Sequence, residues 1–365
     1  MNILFLTNHL NVGGVTSYCF TLASGFVKKG HQVLVASSGG KLINQFRDCG
    51  VEYIHIPMKT KSELSPKIIL SSLKLTKIIR DRQIDIVHSN SRTTQVLGCL
   101  LERRTRVTHV STCHGFFKPR FSRKLFGCWG KRVIAISEQV KDHLVHDLKV
   151  NPKKIKIIHN GIDIKRFQSK LVNSSFEIKK GLGLKNAPVV GIIARLSDVK
   201  GHSYLIEAMK LVVERFPETQ LLVAGEGKTK NELLAQVEKL GLKQNVYFID
   251  EVSDTNVVLS IMDIFVMPSI NEGLGLALME AMAKGLPVIG SNVGGIKTLL
   301  QNGANGVLFE PKDTSALAEA IIDLLKDKGK REKLGLKAQS FISQNFSQEK
   351  MISETEKAYL ECLAK

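Results

Sequence analysis

Two carboxylates, Glu272 and Glu280, stand with seven residues between them around a glycine-rich turn, Asn271-Glu272-Gly273-Leu274-Gly275-Leu276. The turn follows Pro268-Ser269 and an apolar run, 263–267, that reads as a buried parallel strand. It enters an apolar helix that Gly285 and Pro287 terminate. A strand, a glycine loop and a helix in succession expose backbone N–H groups at the positive helix end, where an anion is favoured. The two acids differ in setting. Glu272 lies in the loop, whereas Glu280 is set among Leu276, Ala277, Leu278, Met279, Ala281, Met282 and Ala283. An ionised group in such surroundings needs a partner or a wet cleft. Ribose hydroxyls would serve. The plain alternative turns Glu280 to solvent and leaves Glu272 to complement the helix dipole.

A second group of chemically capable residues closes the strand expected over 188–194: Arg195-Leu196-Ser197-Asp198-Val199-Lys200-Gly201. An arginine fork and a lysine point charge at the carboxyl end of a strand suit a diphosphate; as isolated residues they are surface cations. Three further turns follow strands. They are Gly13-Gly14 after the first strand, Gly225 within Val223-Ala224-Gly225-Glu226-Gly227, and His114-Gly115 after strand 107–113. Glycines there let a ligand approach backbone N–H groups, or simply make tight turns. A lone histidine is more often structural than catalytic.

These pieces, in this order, carry a resemblance. Pro268-Ser269, the two glutamates and Ala281-Met282-Ala283-Lys284-Gly285-Leu286-Pro287-Val288 resemble the Glu-x7-Glu signature of the retaining, GT-B-fold glycosyltransferases of family 4. Residues 194–201 resemble the family's Gly-Arg-Leu-x-x-x-Lys-Gly, with Ala194 in place of the first glycine. His159-Asn160-Gly161-Ile162-Asp163 resembles Pro-Asn-Gly-x-Asp, with His159 in place of proline. Gly294-Gly295-Ile296-Lys297-Thr298 resembles Gly-Gly-x-Pro-Glu, with Lys297 and Thr298 as departures.

The resemblance implies an α/β protein of two Rossmann-like, doubly wound parallel-sheet domains facing a cleft. It implies transfer of a glycosyl group from a nucleoside-diphosphate sugar to an acceptor hydroxyl with retention, and domain closure that excludes water. Arg195, Lys200 and the helix end near Gly275 would stabilise the leaving diphosphate. Glu272 would hold sugar hydroxyls and Glu280 the ribose. His114 would touch the sugar. Gly13 and Gly14 would lie near the phosphates and acceptor, Gly225 would border the nucleotide, and Val252 would meet the base. The rivals are a nucleotide-sugar epimerase of the same architecture and a basic membrane- or nucleic-acid-binding protein without catalysis.

Composition bounds the rest. A chain of 365 residues is long enough for two cores. The expected division is residues 1–165 with helix 347–364 packing back as an acceptor-binding domain, a linker over 166–187, and a nucleotide-sugar-binding domain over 188–346. The strands expected in the first half are 3–7, 32–36, 52–56, 84–88, 107–113, 132–136 and 155–158. Those of the second half are 188–194, 220–224, 246–249, 264–267, 288–290 and 307–309. They alternate with helices, which argues right-handed crossovers and parallel sheets.

The six cysteines form no zinc spacing and read as reduced structural thiols. With no basic leader ahead of the first strand and no long apolar run, neither a signal peptide nor a membrane span is expected. A cytoplasmic enzyme is the expectation, with room for a peripheral position on the inner face of the plasma membrane. No Asp-x-Asp motif is present, so neither a metal nor a cofactor beyond the sugar donor is expected.

The formal net charge of +18 favours an acidic partner. Without a finger or RNP motif, nucleic acid is not expected. A phosphorylated or lipid-linked glycan, or an anionic membrane face, fits better. Phe117, Lys118, Arg120, Arg123 and Lys124 belong to a stretch, 116–132, that interleaves aromatics with cations and suits an acceptor or a membrane interface. A second basic stretch, 59–82, has apolar residues at helical spacing that should mostly face the core, with its lysines solvated; the alternative is an amphipathic surface that rests on anionic lipid.

Overall fold

The computed structural model describes residues 1–58, 60, 65–117, 127–169, 174–250 and 254–364. Val252, Lys118, Arg120, Arg123 and Lys124 lie outside the described residues. The chain divides into two compact units, Met1–Gly161 with Gln348–Lys365, and Ile162–Ser347.

In the first unit the described residues form a seven-stranded parallel sheet from β1 (Asn2–Leu6), β2 (Gln32–Ser37), β3 (Glu52–His55), β4 (Ile86–Ser89), β5 (Thr108–Cys113), β6 (Arg132–Ala135) and β7 (Ile155–Ile157). Its order is β3-β2-β1-β4-β5-β6-β7, so the winding reverses between β1 and β4. β1 is a buried apolar run, as a strand covered on both faces tends to be, whereas β4 and β5 are equally buried but carry His88, Ser89, His109, Ser111 and Thr112. Helix Gly14–Lys28 covers one face and helices Pro66–Asp81 and Arg92–Thr105 the other. Ser65, Ser91 and Ser137 cap the helices that follow them.

The last helix, Gln348–Leu363, belongs to this unit. It lies against helix Gly14–Lys28, where a Cβ on Gly25 would fall 2.2 Å from Ile352 Cδ1. Lys29 and His31 pair with Glu356, and Lys156 reaches Glu361 at 2.9 Å.

In the second unit the described residues form a six-stranded parallel sheet of β8 (Val189–Ile193), β9 (Gln220–Ala224), β10 (Val246–Ile249), β11 (Ile264–Met267), β12 (Val288–Ser291) and β13 (Val307–Phe309). Its order is β10-β9-β8-β11-β12-β13, reversing between β8 and β11. Helix Leu276–Lys284 follows β11 and stops at Gly285, which takes the left-handed conformation expected of a C-terminal glycine.

Residues 166–187, read from the sequence as a linker, carry helical structure. Helices Ile164–Gln168 and Ser175–Gly181 lie there, capped by Asp163 and by a Ser174/Glu177 capping box. They are too short for apolar periodicity to reveal, and they fall within the second unit. All six cysteines are free thiols. Among the described residues no helix is long and apolar enough to cross a membrane.

A second difference concerns helix Pro66–Asp81. Ile68, Leu75 and Ile79 enter the core as expected, but Ile69, Leu70 and Leu73 face outward. The apolar set is wider than the one stripe that a helix can bury on a sheet.

Candidate functional site

Open α/β sheets bind ligands outside the carboxyl ends of their strands, where the strand order reverses. In the second unit that place lies between the loops after β8 and β11. These are the two stretches that hold Arg195, Lys200 and the Glu272–Leu276 turn.

The backbone stitches the two loops together, with Ile270 N–H donating to Val199 O at 2.9 Å. Gly201 has φ +72°, and a Cβ there would fall 1.9 Å from Pro268 O. Only glycine allows so close an approach in that conformation. The contact brings the Lys200 ammonium to Glu272, with Nζ and Oε2 2.5 Å apart and both side chains largely buried. The other carboxylate oxygen of Glu272 accepts the Gly273 N–H at 3.1 Å. Lys200 therefore sits at the turn, on the same edge as the helix end.

That helix end is uncapped by any side chain. Gly275 (φ +93°) turns the chain into helix Leu276–Lys284, and its carbonyl accepts the Met279 N–H at 3.1 Å. Gly273, Leu274 and Gly275 are buried, Leu276 is half-buried and Asn271 is exposed.

The loop after β12 supports the turn from behind. Gly295 N–H donates to Glu272 O at 3.2 Å, and Cβ atoms on Gly294 and Gly295 would strike Glu272 O and Gly273 O at 2.0 and 2.4 Å. Gly294-Gly295 is thus a packing requirement of the turn. Lys297 stands exposed on the helix that follows.

Arg195 is exposed, and its guanidinium makes no hydrogen bond or ion pair among the described residues. Its loop is held by its neighbour, since Leu196 N–H donates to Glu226 O at 2.9 Å. Gly225 has the same role, because a Cβ there would fall 2.2 Å from Ala194 O. Ala194 keeps ordinary backbone angles, so the family's glycine is not required at that position.

Glu280 finds partners, as burial demands. The Thr255 hydroxyl bonds to it and Arg166 lies close, itself paired with Asp254 at 2.8 Å. The residue as a whole is half-buried. Desolvation nonetheless pushes its carboxyl up to about 7, outweighing Thr255 and Arg166. His202, buried beside Lys200, is pushed down to about 4 by burial and by that lysine, and so is neutral. Sequence reasoning missed Arg166, Asp254, Thr255 and His202. The one available signal was Asp163, whose side chain caps the short helix carrying Arg166.

In the first unit the reversal point lies between the loops after β1 and β4. Asn8 Oδ1 there accepts the hydroxyls of Ser91 and Thr93 at 3.1 and 2.6 Å. Gly13 is the N-cap of helix Gly14–Lys28, again without a side-chain cap. His114, at the end of β5, places Nε2 3.1 Å from Asn90 Oδ1. Burial pushes its pKa down to about 3. The neutral ring donates from Nε2, because an amide oxygen only accepts, and keeps a lone pair on Nδ1.

A buried chain of polar groups backs His114. Its ring meets Tyr18 edge-on at 4.7 Å, and the Tyr18 hydroxyl pairs with Thr112 at 3.0 Å. Thr112 lies 2.7 Å from His88 Nε2, and His88 Nδ1 meets the Tyr359 hydroxyl of the last helix. Phe117 donates its N–H to His143 at 2.9 Å. Among the described residues no group of three or more His, Cys, Asp or Glu side chains is placed to hold a metal ion.

Two Rossmann-like units, each with a polar reversal point at its carboxyl edge, define a GT-B-type protein. Comparison with known proteins agrees. The model "Glycosyl transferases group 1" matches residues 174–341, and "Glycosyltransferase Family 4" matches 12–166. The chain is 30% identical, across 81% of its length and 80% of the relative's, to UDP-Gal:alpha-D-GlcNAc-diphosphoundecaprenol alpha-1,3-galactosyltransferase of Escherichia coli. It is also 30% identical, over 91% and 90% of the two chains, to the capsular polysaccharide biosynthesis glycosyltransferase CapM of Staphylococcus aureus. A glycosyltransferase structure from Rickettsia africae superposes with a TM-score of 0.87 at 25% identity, over 99% of this chain and 98% of that one. The chain belongs to glycosyltransferase family 4, and it is a glycosyltransferase. These three relatives are themselves glycosyltransferases, so the epimerase alternative gains no support, and family membership replaces the reading as a binding protein without catalysis.

Proposed function

We propose that the chain transfers a sugar, with retention, from a nucleoside-diphosphate sugar to a hydroxyl of a glycan or lipid-linked acceptor in cell-envelope polysaccharide biosynthesis. The observation that carries the proposal is the pairing of Lys200 with Glu272 at the uncapped end of helix Leu276–Lys284. A cation, a row of backbone N–H groups and a carboxylate converge there, at the sheet edge where the strand order reverses.

The hard part of glycosyl transfer is the charge that grows on the leaving diphosphate as the sugar becomes oxocarbenium-like. Lys200, Arg195 and the N–H groups from Leu276 onward are preorganised to meet that charge. Arg195 has no internal partner to give up, whereas Lys200 exchanges Glu272 for a phosphate oxygen. Glu272, so released, takes sugar hydroxyls. Glu280 takes the ribose hydroxyls, and Gly225 borders the nucleotide. His114 is neutral and keeps a free lone pair, which suits a contact to a sugar hydroxyl. Gly13 and Gly14 offer the N–H groups of a second uncapped helix start. The transfer is proposed to need no cofactor or metal beyond the donor.

The acceptor class rests on two supports. The Escherichia coli relative carries a diphosphoundecaprenol acceptor in its name, and the Staphylococcus aureus relative acts in capsular polysaccharide biosynthesis. The net charge of +18 suits phosphorylated or membrane-borne acceptors. A lipid-linked acceptor places the enzyme at the inner face of the plasma membrane as a peripheral protein.

The test is calorimetric titration of the full chain with UDP-, GDP- and ADP-sugars, followed by NMR of the product of the donor that binds. One donor should bind, and its anomeric configuration should persist in the product. Failure of all three donors to bind, or an inverted product, refutes the proposal.

A further inference from the structure

Helix Pro66–Asp81 lies on the first unit with one face buried against the sheet: Ile68, Ser71, Ser72, Leu75 and Ile79. The opposite arc holds three aliphatic side chains that the fold leaves in water. Ile69 is 51% exposed, Leu70 65% and Leu73 52%. On a 3.6-residue helix these three share their arc with Lys67, Lys74, Lys77 and Arg80, all exposed. None of the four cations is ion-paired to a carboxylate among the described residues. Lys74 touches only the His55 carbonyl, at 3.2 Å, which leaves its charge uncompensated. Asp81, at the last turn, is the only acid in the helix.

Scattered exposed leucines on a soluble surface need no explanation. A run of three on one arc, interleaved with four unpaired cations, is different. Packing gives no reason for these residues, because the core below is already filled by the other face. Solubility gives a reason for the lysines and none for Ile69, Leu70 and Leu73. Aliphatic side chains flanked by cations match a layer that is apolar at depth and anionic at its surface.

We propose that this face of helix Pro66–Asp81 is the membrane-docking surface of the enzyme, lying in the plane of an anionic lipid leaflet. Leu70 and Leu73 enter the acyl boundary while Lys67, Lys74, Lys77 and Arg80 meet lipid phosphates. The proposal rests on the reading above that the acceptor is borne on a membrane, and it names the element that brings the enzyme there. Binding is reversible, since one short amphipathic helix buries little area and its electrostatic part weakens with salt.

The experiment is co-sedimentation of the full chain with phosphatidylglycerol:phosphatidylcholine (1:3) vesicles and with pure phosphatidylcholine vesicles. It compares wild type with Leu70→Ser/Leu73→Ser and with Lys67→Glu/Lys77→Glu. All four positions are exposed, so both variants should fold as wild type does. Wild type should partition onto the anionic vesicles at low salt and not onto the neutral ones. Each double variant should lose about tenfold or more of that partitioning.

Donor titration and transfer to a water-soluble acceptor fragment, run on the same samples, should be unchanged. Failure of the glycosyl-transfer reading is therefore seen separately from failure of the docking surface. Absence of wild-type binding to anionic vesicles overturns the proposal, as does unchanged partitioning in either variant. A leucine variant that alters the oligomeric state of the free protein also overturns it, because the face then belongs to a second copy of the chain.

Discussion

Replacing Lys200 by methionine separates two roles that one ion pair combines. Lys200 and Glu272 meet at 2.5 Å with both side chains largely buried. A hydrogen bond between charged groups contributes about 1.5–3 kcal/mol, and more is lost when one partner is left unpaired. The pair keeps some solvent contact, which screens it and brings the expected loss down to about 1–2 kcal/mol. In a unit of this size that lowers the melting temperature by about 2–8 °C. The catalytic loss is of another order, since removing one preorganised group from developing anionic charge typically costs about 10²–10³ in rate.

The assay pairs thermal unfolding with initial rates of transfer for Lys200→Met and for Lys200→Met/Glu272→Gln. The double variant leaves no charge stranded, so it should recover most of the stability while transfer stays low. A single variant that turns over within about threefold of wild type refutes the phosphate assignment. Recovery of transfer together with stability in the double variant refutes it too, because the loss was then only unfolding.

Three further outcomes are expected. Glu280 has a carboxyl raised from the ordinary range to about 7 in the folded chain, so between pH 4.5 and 7 the folded state holds a proton that the unfolded state has released. Stability should fall as pH rises through that window. Glu280→Gln should flatten the melting-temperature profile and gain about 1–2 kcal/mol at pH 8, after discounting for partial exposure. Calorimetric affinity of wild type for the free nucleoside diphosphate should instead rise through pH 7, as the carboxylate forms to accept ribose hydroxyls, and a flat profile would count against that role. Gly201→Ala should cost about 2–4 kcal/mol in urea melts, because its φ of +72° and the carbonyl of Pro268 both oppose a methyl group. Gly183→Ala has a similar φ of +73° with no atom in the way, and should cost only about 1 kcal/mol. Tyr359→Phe leaves His88 Nδ1 without its partner in a buried setting and should cost about 1–3 kcal/mol by chemical denaturation.

Much of this molecule was readable before any coordinates. Most strands buried on both faces are apolar-rich runs, and turn residues mark many of their ends. Expected and observed strands therefore agree to within a residue or two, from Gln220–Ala224 to Ile264–Met267. The loops of the candidate site stood out because their residue types are unusual for turns: two cations after one strand, and two acids around glycines after another. Short elements were missed where no period had room to develop. Helices Ile164–Gln168 and Ser175–Gly181 are held by caps, and the spacing of Ser174 and Glu177 was the only trace of the second. For helix Pro66–Asp81 the sequence left two readings open, most apolar residues inward or an amphipathic surface, and only the packing shows Ile69, Leu70 and Leu73 turned outward, because spacing alone does not say how wide a stripe the sheet covers.

Composition and motif order determined that this chain is two Rossmann-like units with a glycine turn between two acids in the second, since periodicity, helix termination and residue chemistry are local properties. Tertiary structure alone decided which distant residues meet. Lys200 reaches Glu272 because β8 and β11 are neighbours at the point where strand order reverses. Glu280 rests against Thr255 and Arg166 because three separate helices converge there, and His88 is closed in by a tyrosine from the far end of the chain. Such contacts depend on sheet order and on which face each helix covers, and no window of sequence contains that information.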